Sequence, residues 1–406
     1  MATELADRLR GVYQDLHAHP ELSFQEHRTA GVVVDWLKDL GLEVIEGVAT
    51  TGVIGVLRNG HGPTVLLRAD MDALPVREET GLAYASQVDG VMHACGHDMH
   101  VTCLLGAASS LTACRADWSG TVVTVFQPAE EKAEGAAAMV AEGLFERVPV
   151  PDVVLGQHVA PMPAGTLGLR AGPSFAATDT LRITLYGAGG HGSRPEATVD
   201  PVVMAAATVM RLQGIVAREV SATDVAVVTV GALTAGTRNN IIPDDAKLLL
   251  DIRTYDTAVR AKVLQAIERI VRAEAQASGA AREPLLVSTE SAPAVINDAA
   301  AVERTRGALA GVEGAEQVID PGPVTGSEDV GVLAASAGAP LVFWLLGGAN
   351  PAAFAGASGP QEMARIVADL PSNHSPRYAP VEDPTIAVGV GALSAAAREW
   401  LAAART

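Results

Sequence analysis

The residues Met92-His93-Ala94-Cys95-Gly96-His97-Asp98-Met99-His100 pack three histidines, one cysteine and one aspartate into nine positions. A thiolate and an imidazole two residues apart, joined by a glycine, can both turn toward one cation. A lone Cys-x-His is more often structural; the density of donors here shifts the balance toward metal. A second cluster, Phe126-Gln127-Pro128-Ala129-Glu130-Glu131, falls at the expected C-terminal end of a strand, where open α/β sheets place their ligands. Two adjacent carboxylates on a turn can divide labour, one holding metal and its neighbour working on water. Asp70-Met71-Asp72 and Gly156-Gln157-His158 end two further predicted strands, and His374 lies in the turn Asn373-His374-Ser375-Pro376. Each of these has a bland reading alone, as a solvated acidic pair or a structural histidine. Together Cys95, His97, Glu131, His158 and His374 give five ligands, too many for one tetrahedral zinc and suited to a bridged pair. A Cys-His nucleophilic hydrolase built on Cys95 leaves Glu131, His158 and His374 without work. A non-catalytic metal-binding protein has no need of Glu130 beside Glu131.

These side chains need a scaffold, and the hydrophobic pattern predicts one. Val33, Trp36, Leu37 and Leu40 recur at helical spacing, with Gly41 as a stop signal. Strand-like runs at 53–57, 64–68, 121–126 and 153–156 alternate with helical patterns near 99–114 and 134–147. That alternation implies an α/β domain whose mostly parallel sheet is covered by helices. Beyond Pro173 the texture changes: Leu181, Ile183 and Leu185 alternate with polar residues, as on a sheet with one wet face. A helix over about 199–217, strands at 226–232 and 247–253, and a helix over 256–278 complete a β-α-β-β-α order. This suits a small α+β domain (178–290) inserted into a larger one (1–177 and 291–406). The α/β texture returns after Ala292, with a strand at 341–346 and a final helix near 385–404.

Composition limits the partners. The 406 residues exceed one ordinary core, and 49% hydrophobic with 19% charged residues fits a globular enzyme. Acidic side chains outnumber basic ones, 47 to 29, and no Lys/Arg run interrupts them, which argues against nucleic acid. The N-terminus has no apolar core of a secretion signal, and the apolar run at 333–349 is broken by Pro340, so no membrane span is expected. Three cysteines cannot all pair, and reduced thiols in a cytoplasm are the expectation.

The ordered set MHACGHDMH, FQPAEE, GQH, GGHGS, NNIIPD, GSED and SNHSP resembles the amidohydrolase branch of the aminoacylase/carboxypeptidase metallohydrolases. That branch includes hippurate hydrolases, N-acyl-L-amino-acid amidohydrolases and auxin-conjugate hydrolases. The resemblance implies a catalytic domain holding two divalent metals, zinc or manganese before cobalt or nickel, and an inserted lid or dimerisation domain. It implies Cys95 as a bridging thiolate, completed by His97, Glu131, His158 and His374, with Glu130 as general base and Asp72 as the carboxylate orienting the site. Asp70 stands where other branches place a histidine ligand. His191 resembles the lid histidine that reaches the scissile carbonyl; Asn240 and Arg253 resemble residues holding the substrate carboxylate, although Arg253 also has Asp251 within reach. Glu196 stands where many relatives carry histidine, and the GGAN around Gly347 departs from the usual glycine-threonine form. The implied activity is amide hydrolysis of small N-acyl amino acids by a homodimer or tetramer. Dipeptidase, carboxypeptidase or carbamoyl-amino-acid hydrolase activity is the neighbouring alternative.

Overall fold

The computed structural model of the chain describes residues 2–403. It divides into two compact units. The first carries the chain up to Ser174, then Ile296–Gly322, and resumes at Asp329; the second is Phe175–Val295 with Pro323–Glu328.

The heart of the first unit is the strand Thr64–Asp70, every residue of which is buried. A strand hidden on both faces must be apolar throughout, which is why Val65, Leu66 and Leu67 follow one another without alternation. It lies parallel between Trp118–Gln127 and Val153–Pro163, and the latter runs parallel to Leu341–Ala349. Antiparallel neighbours extend this parallel core. Gly52–Asn59 and Glu43–Val48 flank one side, and Thr166–Gly168 the other. The helix His97–Ala113 is buried over nearly its whole length and packs against Thr3–Ala18 and Thr385–Trp400. A helix apolar all round, as its Val101, Leu104, Leu105 and Ala108 make it, belongs in a core.

The strands run longer than their hydrophobic runs predict, and one difference touches the site. His158 does not end its strand. Pairing with Thr64–Asp70 stops at Arg68 opposite Gly156, but Leu341–Ala349 continues, with Leu345 opposite His158 and further pairs beyond, so Val153–Pro163 keeps its ladder on one side only. The helical pattern at 134–147 is two helices, Gly135–Ala141 and Leu144–Arg147, parted by Gly143 at φ 80°. The last helix is Thr385–Trp400, and residue 404 of its expected span lies outside the described residues.

The second unit is a four-stranded antiparallel sheet in the order Ala226–Ala235, Asp245–Thr254, Ala177–Tyr186, Leu285–Ala292. Helices Pro201–Leu212 and Thr257–Ala277 cover one face, burying Ile183, Leu185, Leu248, Leu250, Ile267 and Val271. Asp256 caps the longer helix by accepting from the N–H groups of Ala258 and Val259. Val227, Leu233 and Leu249 stay exposed on the sheet. The edge strand Leu285–Ala292 escapes the sequence pattern because its Ser288-Thr289-Glu290-Ser291 half is polar and mostly exposed.

Candidate metal centre

Four chain segments deliver the donors. The helix His97–Ala113 begins at Gly96, whose φ of 87° lets the backbone reverse between Cys95 and His97. A Cβ there would overlap Val159 Cγ1, so glycine is demanded by space as well as by conformation. Glu130 and Glu131 open a short turn entered through Ala129 at φ 51° and left through Ala133 at φ 53°. Gly135 closes that turn where any side chain would strike the carbonyl of Pro128. His374 sits at φ 70° and is anchored by its N–H donating to the Ala94 carbonyl at 2.8 Å.

Cys95, His97 and His158 bring their ligand atoms within 4.8 Å of one another, and so do Cys95, Glu131 and His374. Cys95 is common to both groups. His97, Glu130 and Glu131 form a third group on the same criterion. The His158 Nε2 lies 3.5 Å from Cys95 Sγ, and His374 Nε2 lies 3.4 Å from Glu131 Oε2. All five candidate ligands therefore converge.

The donors suit a cation. The Nε2 of buried His97 and the Oε1 of Glu131 lack any hydrogen-bond partner, an arrangement that is costly unless something else satisfies them. His158 donates from Nδ1 to the Val159 carbonyl at 2.8 Å, which leaves Nε2 as a lone pair facing the cysteine. Burial, followed by the nearby His100, holds His158 well below the usual imidazole range. Burial, then the Glu131 carboxylate, pushes the Cys95 thiol well up, and burial pushes Glu131 up to about 7. Anionic donors this disfavoured on their own fit a site completed by positive charge.

Asp72 takes no place among the donors. Its Oδ1 accepts from the Glu130 N–H at 3.0 Å, and its Oδ2 accepts from the Glu131 N–H at 3.1 Å and the Ser23 hydroxyl at 2.6 Å. Its Oδ1 is also 3.3 Å from His97 Nδ1. Asp70, though 3.7 Å from His97 Nε2, is engaged elsewhere. It pairs with Arg68 Nη1 at 2.6 Å and accepts from His100 Nδ1 at 2.5 Å. The Val159 N–H donates to His100 Nε2 at 2.8 Å, so the Nδ1 of His100 carries the proton.

Further polar residues surround this centre. Arg68 is fully buried and also donates to Asp329 Oδ1 at 3.0 Å and to Gln127 Oε1 at 2.9 Å. Asn373 donates to the Cys95 carbonyl at 3.0 Å and the Val159 carbonyl at 3.2 Å, tying two donor segments together. His93 is buried with neither nitrogen bonded, and His17 bridges Asp98 at 2.6 Å and Glu78 at 3.3 Å.

The remaining candidates lie in the second unit. His191 is exposed on the two-residue strand Gly190–His191, paired with Ile241–Ile242, and the Gly192 N–H donates to the Asn240 carbonyl at 2.8 Å. The Ser193 N–H donates to His191 Nδ1 at 3.1 Å, fixing Nε2 as the protonated nitrogen of the neutral ring. Arg253 is apart from them on the sheet, its Nη2 2.9 Å from Asp251 Oδ1 and its Nε donating to Oδ2 at 3.1 Å.

Comparison with known proteins gives the family of the chain. The model of peptidase family M20/M25/M40 matches residues 66–373. Hippurate hydrolase of Campylobacter jejuni is 42% identical over 277 residues, 68% of this chain and 72% of that protein. Thermostable carboxypeptidase 1 of Saccharolobus solfataricus is 38% identical over 331 residues, 80% of this chain and 82% of its own length. Among solved structures, the Bacillus subtilis YXEP protein, described as a dinuclear metal-binding peptidase, superposes with a TM-score of 0.77. It is 29% identical, over 98% of this chain and 100% of that one. With the match running across most of both units and through Cys95, His97, Glu131 and His158, the chain belongs to peptidase family M20/M25/M40.

Proposed function

We propose that this chain is a two-metal amidohydrolase that cleaves the amide bond of N-acyl amino acids or closely related conjugates. The observation that carries the reading is the sharing of Cys95 between two donor groups, one with His97 and His158, the other with Glu131 and His374. Five convergent donors, one of them a sulfur common to both groups, are more than one tetrahedral ion can use and would serve two. Cys95, His97, Glu131, His158 and His374 are the residues that would hold the pair. Zinc or manganese is the proposed pair, ahead of cobalt or nickel; of these, zinc is the one that the thiolate and imidazole donors favour. Such a pair, when bound, supplies the Lewis acidity that acidifies water and polarises an amide carbonyl.

The chain's own side chains do the rest. Glu130 is the general base: its carboxylate takes the proton of the attacking water and delivers it to the leaving amine nitrogen as the C–N bond breaks. Asp72 orients both glutamates by holding their backbone N–H groups. His191 donates from Nε2 to the carbonyl oxygen as negative charge gathers there, a role supported by the Ser193 N–H on its other nitrogen. Asn240 and Arg253 would hold the substrate carboxylate, for which Arg253 would have to release part of the fork now engaged by Asp251.

The Campylobacter relative's name supports an N-benzoyl amino acid as one substrate. The Saccharolobus carboxypeptidase supports a second reading, peptide hydrolysis at the same centre. We assign residues 1–177 and 291–406 to catalysis and 178–290 to a lid that also joins subunits in a dimer or tetramer. Exposed Val203, Met210, Val227 and Leu233 support such a contact. Three unpaired cysteines support a cytoplasmic setting, and no described helix is long and apolar enough to cross a membrane.

The test is a hydrolysis screen with chelated and metal-reloaded protein, using N-acetyl-, N-benzoyl- and indoleacetyl-amino acids beside dipeptides. Activity should vanish on chelation and return at two metal equivalents. Turnover that survives chelation, or saturates at one equivalent, refutes the proposal.

A further inference from the structure

Glu26 is fully buried, lies outside the donor set, and grips the turn that presents Glu130. Its Oε1 accepts from the Ala129 N–H at 2.9 Å and its Oε2 from the Thr51 hydroxyl at 2.6 Å. Asp72 accepts from the next two N–H groups, so three consecutive amides, 129 to 131, end on two buried carboxylates. Ala129 needs the restraint. At φ 51° and ψ 43° it occupies the left-handed region, which an L-residue leaves readily unless its surroundings hold it there.

The rest of the Glu26 loop fastens to the same turn. The Ser23 hydroxyl donates to Asp72, and the Phe24 ring lies 5.5 Å from the Lys132 ammonium, with Phe24 itself at φ 64°. Two left-handed residues thus sit on segments fastened to each other, beside the carboxylate of Glu130. A buried carboxylate is a demanding acceptor for one amide, since burial and the charge of Asp72 both oppose its ionisation. A helix cap or a water could satisfy Ala129 with less.

We propose that Glu26 is a positioning residue of the reaction, locking Ala129 in its left-handed conformation so that the Glu130 carboxylate is aimed for proton transfer. This rests on Glu130 being the base, and Glu130→Gln is measured beside the Glu26 variants to separate the two. Kcat, KM, metal content and hydrogen exchange over residues 128–134 are read, the last on metal-free protein as well. Glu26→Ala should lower kcat by about 10–100-fold, as sub-ångström misaim of a catalytic group does, with KM within about twofold and two metals retained. Exchange at 128–134 should quicken without metal. Glu26→Gln, which keeps an acceptor for the Ala129 N–H, should recover kcat to within about threefold and restore slow exchange.

If folded, metal-loaded Glu26→Ala turns over at the parental rate, the inference is overturned, whatever its melting temperature. Equal slowing in the Gln variant overturns it too, by pointing to charge instead of the hydrogen bond. If Glu26→Ala does not fold, Thr51→Val decides: releasing Oε2 should lower kcat about two- to fivefold and loosen 128–134, and no change in both overturns the proposal. Retained activity in Glu130→Gln removes the base assignment itself, whereas an inactive Glu130→Gln beside an unaffected Glu26→Ala removes only the role of Glu26.

Discussion

Replacing Arg68 with methionine should destabilise the metal-free protein by about 3–5 kcal/mol. The guanidinium is 1% exposed and sits between two carboxylates that are fully buried, Asp70 at 2.6 Å and Asp329 at 3.0 Å. Its third bond goes to Gln127 at 2.9 Å. A charge-assisted hydrogen bond contributes about 1.5–3 kcal/mol, and removing one member of a buried ion pair leaves an uncompensated charge costing about 3–5 kcal/mol. Both routes reach the same magnitude. Methionine fills most of the volume, so a cavity contributes little. Arg68→Lys should fall between, because one ammonium cannot span the fork that serves Asp70, Asp329 and Gln127 together. The assay is urea denaturation with chelator present, which removes stabilisation by bound metal from the comparison. Adding Asp329→Asn to the methionine variant should cost less than it does alone, with a coupling of about 1–3 kcal/mol. A methionine variant within about 1 kcal/mol of the parent, or strict additivity in the cycle, refutes the claim that this cation holds the acids together.

Three other outcomes follow from the geometry. Gly96→Ala should cost about 2–4 kcal/mol, from the left-handed backbone and the clash with Val159, and should weaken metal retention; unchanged stability and full metal content count against it. Cys95→Ser should bind fewer than two metal equivalents while melting within a few degrees of the parent without metal, as metal analysis and calorimetry can show. His17 is the pH-dependent case: burial pushes it down, but Asp98 and Glu78 prevail and raise it to about 10. A raised pKa contributes stability fully below about pH 6.5 and loses it on the way to 10, so the deficit of His17→Gln should be largest near pH 6 and shrink by pH 10. A deficit independent of pH, from denaturation at pH 6, 8 and 10, contradicts that account.

The donor residues were legible because ligand chemistry is carried by side-chain type. Cys95, His97, Glu131, His158 and His374 announce themselves as sulfur, imidazole and carboxylate near predicted strand ends, and the structure brings them together. The alternating strands and helices of the first unit were legible for a similar reason, since burial on both faces forces unbroken apolar runs such as Val65-Leu66-Leu67. What stayed hidden is long-range pairing. Asp70 stands in the sequence where relatives place a ligand, but it is held by His100, 30 residues on, and by Arg68, which also reaches Asp329 across 261 residues. Nothing local marks Glu26 as a partner of Ala129, 103 residues away. The small segment Pro323–Glu328 joins the second unit through a bridge between Phe175 and Val324, a contact without periodicity to betray it.

Four residues with side chains hold left-handed backbone near the donors: Phe24, Ala129, Ala133 and His374. At Ala129 and Ala133, where glycine removes only a methyl group, it would relieve about 1 kcal/mol of conformational cost. A laboratory search for heat resistance alone would therefore be drawn toward glycine at these places. Sturdiness gained that way would come from loosening the segments that aim the reacting groups, so thermal tolerance and turnover should part company first here.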